Sequence, residues 1–330
     1  MILHPAILAL LVGSFMASAM LLYSSWFGLQ IIRTWNLRSG SEVQLVLEKR
    51  TYLISTIMSY AFIFQLVSLF LFIYTADSLC SLFVGAMCAA GTLNVNAYGY
   101  PAFILKLVNF ILAGLWLIVN HADNRAYDYP LIRKKYLLLL CITPFVLAET
   151  FLQMRYFLGL EADVITSCCG SLFSKEGRDS LSLLYAAPLV PMKLLYYAAM
   201  AGTGISGLLF YRRGKGAYIF SAFSLLTFMA SAWFLVHVIV LYIYELPTHH
   251  CPFCIFKKEY AYVGYLFYMT LFAGVISGLG VGLLQPFARV NSMSSFVPGI
   301  QKRLSLIALV SYAGFFLLAV YSIITSTLKM

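Results

Sequence analysis

Cys251 and Cys254, separated by two residues, sit in the segment HHCPFCIFKKEY at 249–260. Two thiols at that spacing can close a small disulfide ring. One of them becomes a good nucleophile when a helix N-terminus or a nearby cation favours its thiolate. Lys257 and Lys258 follow the pair, two histidines precede it, and the next apolar run predicts a helix opening near residue 260. The same stretch allows a second chemistry, because His249, His250, Cys251 and Cys254 offer enough N and S donors for zinc or copper. A plain disulfide that staples the loop is the third reading.

The remaining cysteines are not scattered. Six of the seven fall, two by two, in three segments: Cys80 and Cys88 in about 77–100, Cys168 and Cys169 in about 158–180, Cys251 and Cys254 in about 245–258. Only Cys141 lies inside an apolar run. A bond between the neighbours Cys168 and Cys169 would close a strained, easily reduced ring. Cys80 and Cys88 would be about 12 Å apart on a continuous helix, beyond bonding range. These two pairs read as structural bridges or as a relay that serves the third.

The elements that must position these thiols follow from composition. Of 330 residues, 62% are hydrophobic and only 10% charged, against about a quarter charged in soluble domains. Apolar runs long enough to cross a bilayer recur throughout. They predict an all-α, polytopic membrane helix bundle, 1–330 as a single transmembrane domain. Its eight helices are expected at about 6–32, 51–76, 101–120, 136–157, 181–211, 217–244, 260–285 and 304–327. The first run lacks the basic start of a signal peptide and reads as a retained helix. Basic residues gather in the alternate loops, at Arg33, Arg38, Lys49 and Arg50, then Arg125, Arg133, Lys134 and Lys135, then Arg212, Arg213 and Lys215, then Arg289, Lys302 and Arg303. Positive charge marks the cytoplasmic face. Both termini and all three cysteine loops are therefore expected outside, in a bacterial inner membrane. A net charge of +10 distributed in this way sets topology, and no nucleic-acid partner is expected.

Ionisable residues inside apolar runs are costly and default to functional candidates. Glu149, His237, Lys106 and Lys193 all fall in the outer parts of their runs. Polar groups at that depth suit a quinone head group or a proton path, with Lys258 above them. The bland alternatives are snorkelling of Lys106 and Lys193 to the interface, and interhelical hydrogen bonds for His237 and Glu149. No nucleotide-binding glycine loop, HExxH or CxxCH is present.

Cys251, Cys254, Ile255, Phe256 and Lys258 in order resemble the DsbB family of quinone-coupled, disulfide-forming membrane proteins, with Lys where that family carries Arg. The vitamin K epoxide reductase family is similar in the same segment. The resemblance implies a thiol-disulfide oxidoreductase in which Cys251 and Cys254 exchange electrons with a membrane quinone held near Lys258, and with an extracytoplasmic thiol protein. Two other functions stay open on the residues alone. One is a non-enzymatic membrane-complex subunit or transporter whose disulfide-braced loops dock a partner. The other is a Cys/His metal-handling permease. Membrane lipid is a partner under every reading.

Overall fold

A computed structural model of the chain describes residues 3–35, 42–126, 128–161, 164–166 and 189–328. The long helices are α1 (Pro5–Thr34), α2 (Glu42–Ser78), α4 (Gly99–Asp123), α5 (Ile132–Leu158), α6 (Leu189–Arg213), α7 (Ala217–Phe234), α9 (Val263–Leu284) and α10 (Val297–Thr325). Two five-residue helices, α3 (Ala89–Leu93) and α8 (Val240–Tyr244), complete the set among the described residues. Among the described residues, eight helical spans are long and apolar enough to cross a membrane. Their outward faces show Phe15, Trp26, Tyr60, Leu194, Met229 and Val310 exposed, as lipid-facing surface should be. The fold is an all-helical, multi-pass membrane architecture. Residues 181–188 of the expected fifth helix, and both Cys168 and Cys169, lie outside the described residues.

The chain divides into two compact units. The first comprises Met1–Thr75, Asn96–Glu161 and Phe287–Val297, the second Ala76–Val95, Ala162–Pro286 and Pro298–Met330.

In the first unit α5 packs along α1 on one side and α4 on the other. Phe62, Trp116, Tyr136 and Ile142 fill its apolar core. Between α1 and α5 small polar contacts accompany the packing of Phe27 on Tyr136. Ser18 meets Thr150 at 2.8 Å, Ser25 meets Thr143 at 2.7 Å, and the Gln153 amide donates to Ser14 Oγ and Leu10 O. Small hydroxyl residues let helix backbones approach closely, and no water competes for those bonds within a bilayer.

In the second unit α6 and α7 form a hairpin whose turn contains Gly214 and Gly216, at φ +67 and +90. A side chain at either position would be strained in that left-handed conformation. α7 also packs along α9. The approach is close: a Cβ on Gly278 would fall 2.0 Å from Ser224 Oγ, and Ser221 Oγ donates to Gly278 O at 2.7 Å. Tyr312 on α10 donates to Ser224 O at 2.7 Å. Beyond Phe234 the helix widens into a π turn at Leu235–Ile239 before α8. Such bulges recur at functional sites, and this one carries His237.

Candidate functional site

Within the second unit, two irregular segments hold Cys80, Cys88, Cys251 and Cys254. The first follows α2. A 3-10 turn at Cys80–Leu82 ends the helix, Gly85 reverses the chain at φ +89, and an extended Cys88 leads into α3. Because the helix stops, Cys80 and Cys88 are not two points on one rod. Asp77 accepts the Ala89 N–H at 3.2 Å and so ties the end of α2 to the start of α3. Residues 165–166 brace this turn. Thr166 N donates to Val84 O at 3.0 Å, and Thr166 Oγ1 donates to Gly91 O at 2.8 Å.

The second segment runs from Glu245 to Tyr262. Cys254 opens a 3-10 turn, Cys254–Phe256, and a second turn covers Lys258–Tyr260. Ala261 and Tyr262 are both left-handed, and α9 begins only at Val263. The expectation that a helix N-terminus favours the Cys254 thiolate is thus corrected. A break at 261–262 separates the cysteines from the helix, so the α9 dipole, which acts within its own first turn, does not reach them. Aromatic rings pack around the segment instead. Tyr244 meets His249 and Tyr260 at ring-centroid distances of 4.7 and 4.8 Å, and Phe256 meets Tyr265 and Tyr268 at 4.8 and 5.0 Å. The Tyr244 hydroxyl donates to Cys251 O at 2.6 Å.

These two segments bring three sulfurs together. Cys88 Sγ and Cys251 Sγ are 3.5 Å apart, and Cys88, Cys251 and Cys254 all lie within 4.8 Å of one another. Cys88 and Cys251 are 0% exposed and Cys254 is 8% exposed. Cys80 is half-buried, and the described cysteines are in the thiol form. Lys257 is the cation at this site. Its Nζ donates to Met87 O, beside Cys88. Burial works against its charge, but Asp77 and the sulfurs of Cys80, Cys254 and Cys88 outweigh that and raise its pKa above the usual lysine value. Lys258, expected to hold a quinone, is exposed. It opens the second 3-10 turn rather than lying on α9, so the spacing from Cys254 does not carry over.

The histidines do not join the sulfur cluster. His250 Nδ1 is 3.3 Å from Val236 O, and its ring lies 6.0 Å from that of His237. His237 Nε2 accepts the Trp233 indole N–H at 3.2 Å, so Nδ1 carries the proton and donates to Trp233 O at 3.0 Å. Burial lowers the pKa of His249, with partial compensation from the Cys88 sulfur. Lys193 is half-buried on α6.

Lys106 and Glu149 belong to the first unit. Lys106 is 1% exposed and forms an ion pair with Glu149 at 2.6 Å, so snorkelling is overturned. Gln65 and Asn109 both donate to the other carboxylate oxygen, and Lys106 also donates to Ser68 Oγ. A second buried pair joins Asp123 to Lys135 at 2.6 Å, so Lys135, expected as a loop charge, is held inside the unit. A carboxylate held by a cation and two amides has most of its acceptor sites filled. Asn109 had a signal, since it lies one turn beyond Lys106 and shares its face. Gln65 and Tyr244 had none.

No protein-family profile, curated protein or solved structure matches this chain.

Proposed function

We propose that the protein is a membrane thiol-disulfide oxidoreductase whose working centre is the trio Cys88, Cys251 and Cys254. One observation supports this above all: a third sulfur stands 3.5 Å from one member of a CxxC pair. Three sulfurs are what intramolecular disulfide exchange needs, two for the bond and one to attack it. When Cys88 and Cys251 join, two electrons and two protons leave the thiols and reduce a quinone to the quinol. The Cys254 thiolate then attacks Cys251 Sγ, the Cys88–Cys251 bond breaks, and Cys88 departs as thiolate. The disulfide, now Cys251–Cys254, can pass on to an extracytoplasmic dithiol, which is oxidised in turn.

Burial shapes this reading. A soluble partner reaches the trio at Cys254, the least covered of the three. The quinone ring is assigned to a cleft of about 470 Å³ lined by Tyr242, Glu245, Tyr260, Leu318 and Tyr321. Its Tyr260 packs on Tyr244, which in turn holds the Cys251 carbonyl. Residues Lys106, Glu149, Lys193 and His237 are given no role in electron transfer. The clustered basic loops support an orientation with both termini and the cysteine loops on the outer face of a bacterial inner membrane.

The test is anaerobic turnover of reduced protein in lipid nanodiscs with a short-chain quinone and chelator. One quinol should form for every two thiols lost, and Cys251→Ser should abolish it. Cys168→Ser with Cys169→Ser should leave it running. Quinol formation that persists in Cys251→Ser would remove the trio from the reaction. A protein that forms disulfides but never reduces quinone would be a disulfide-braced docking subunit or transporter instead.

A further inference from the structure

We infer that the reduced trio is also a metal site, in which Cys88, Cys251 and Cys254 together hold one thiophilic d10 cation of the Cu(I) or Zn(II) class. The inference rests on the same sulfurs as the exchange reading but not on its electron transfer. The ligand set differs from the one the sequence offers. HHCPFC presents two histidines and two cysteines in a row, yet the fold supplies the third donor from residue 88, 163 positions away in the chain. Among the described residues, the donor atoms that converge are sulfur only.

Three arguments carry it. Thiolates bound at about 2.3 Å to a tetrahedral centre stand about 3.8 Å apart, and the observed sulfurs, from 3.5 Å to within 4.8 Å, bracket that value. Rotation of side chains, without backbone motion, can close the difference. Next, the sulfurs are almost wholly withdrawn from water, and soft, polarizable thiolates with few competing oxygen donors select Cu(I) and Zn(II) over hard cations. Finally, charge is balanced for a divalent ion and brought to within one unit for a monovalent ion. Three thiolates exceed the charge of a divalent ion by one and of a monovalent ion by two. Lys257, anchored on Met87 O and in electrostatic reach of Cys88 and Cys254, supplies a positive charge. Occupancy and disulfide formation then exclude each other, because a bond between any two of the three sulfurs leaves a single thiolate.

The experiment uses the full chain with Cys80, Cys141, Cys168 and Cys169 changed to Ser, reduced and kept anaerobic without quinone. Cd(II) is titrated and followed by its ultraviolet thiolate charge-transfer band, and Cu(I) affinity is measured by competition with a chromophoric chelator. One ion per chain is expected. Outer partners of a ligand alone shift affinity by about 10–100-fold, so Cys88→Ser should weaken binding by about 100-fold or more and reduce the band. His249→Ala with His250→Ala should change affinity by less than about threefold on the same scale. Detergent-elution profile and circular dichroism of each variant check that it is folded. Absence of the band, or affinity that survives Cys88→Ser but collapses with the two histidines, overturns the inference. Because quinone is absent here and chelator is present in the turnover assay, either reading can fail while the other stands.

Discussion

The cage around Glu149 and the cluster around Cys251 show two ways in which a membrane bundle buries polar groups. The cage is built on regular helices. Lys106 and Asn109 come from α4, Gln65 and Ser68 from α2, and Glu149 from α5. Both carboxylate oxygens of Glu149 are engaged, Asn109 Oδ1 is left without a partner among the described residues, and the network's chemistry is spent on holding three helices in register. The sulfur cluster is built on irregular backbone, between a left-handed Gly85 on one side and left-handed Ala261 and Tyr262 on the other. Its supporting bonds go to backbone atoms, as from Tyr244 to Cys251 O and from Lys257 to Met87 O. Those bonds hold the loops by their backbone, and the proposed exchange reaction is assigned to their sulfurs. A paired network on helices specifies packing, whereas the proposed chemistry lies on loops.

That contrast can be broken most decisively at Lys106. Lys106→Met leaves Glu149 buried against two amides with no cation. Breaking a buried pair on one side costs about 3–5 kcal/mol. Thermal or denaturant unfolding in detergent should report a loss of that order, while Lys106→Met with Glu149→Gln recovers most of it. Quinone reduction by surviving folded protein should be unchanged. If Lys106→Met halts turnover without loss of stability, the cage is functional and the distinction fails.

A smaller effect, of the opposite kind, is expected at Tyr244. Tyr244→Phe leaves the buried Cys251 carbonyl without its 2.6 Å donor, at a cost of about 1–3 kcal/mol. The loss should appear locally, as faster hydrogen exchange in 245–262 and altered alkylation of Cys251. Protection in α7 and α9 should hold. Uniform loss of protection across the second unit would mean that the segment is not a separable loop.

The smallest effect concerns pH. Burial depresses the His249 pKa in the fold, so the unfolded chain takes up a proton first as pH falls below about 6.5. The stability tied to neutral His249 is present above that value and declines as pH drops toward the lower folded value. His249→Asn should flatten the acid limb of the unfolding curve slightly. An unchanged limb would show that this ring titrates alike in both states.

The sequence made much of this architecture readable, for physical reasons. Eight apolar runs predict eight spans because a bilayer demands a length, and six of them lie within a few residues of the observed helices along their described lengths. The exceptions are the second, expected from 51 but beginning at Glu42, and the eighth, expected from 304 but beginning at Val297, because Lys49 and Arg50 in the one and Lys302 and Arg303 in the other read as loop charge. Cysteines stood out because they avoided the basic loops. What stayed hidden was the partner. Nothing local pairs Cys88 with Cys251 rather than Cys80, since that contact depends on where α2 stops and Gly85 turns the chain. The choice of cation was hidden for the same reason. Lys257 and Lys258 look equivalent in a row, and only the 3-10 turns aim one toward Met87 and leave the other exposed. Lys106 looked like a snorkelling residue because Gln65 and Asn109, the amides that complete its cage, carry no charge to draw attention.

The convergence of Cys88 and Cys251 underlies both the exchange reaction and the metal site, and it can be measured without either. A chain that keeps only these two cysteines, with Cys80, Cys141, Cys168, Cys169 and Cys254 changed to Ser, is oxidised mildly in membranes and digested. Mass mapping without reductant should recover one intramolecular Cys88–Cys251 bond in most molecules, because sulfurs 3.5 Å apart need only rotate to reach the bond length of about 2.05 Å. Two thiols that remain separately alkylated under the same oxidation, or that cross-link only between chains, would contradict the cluster and everything built on it.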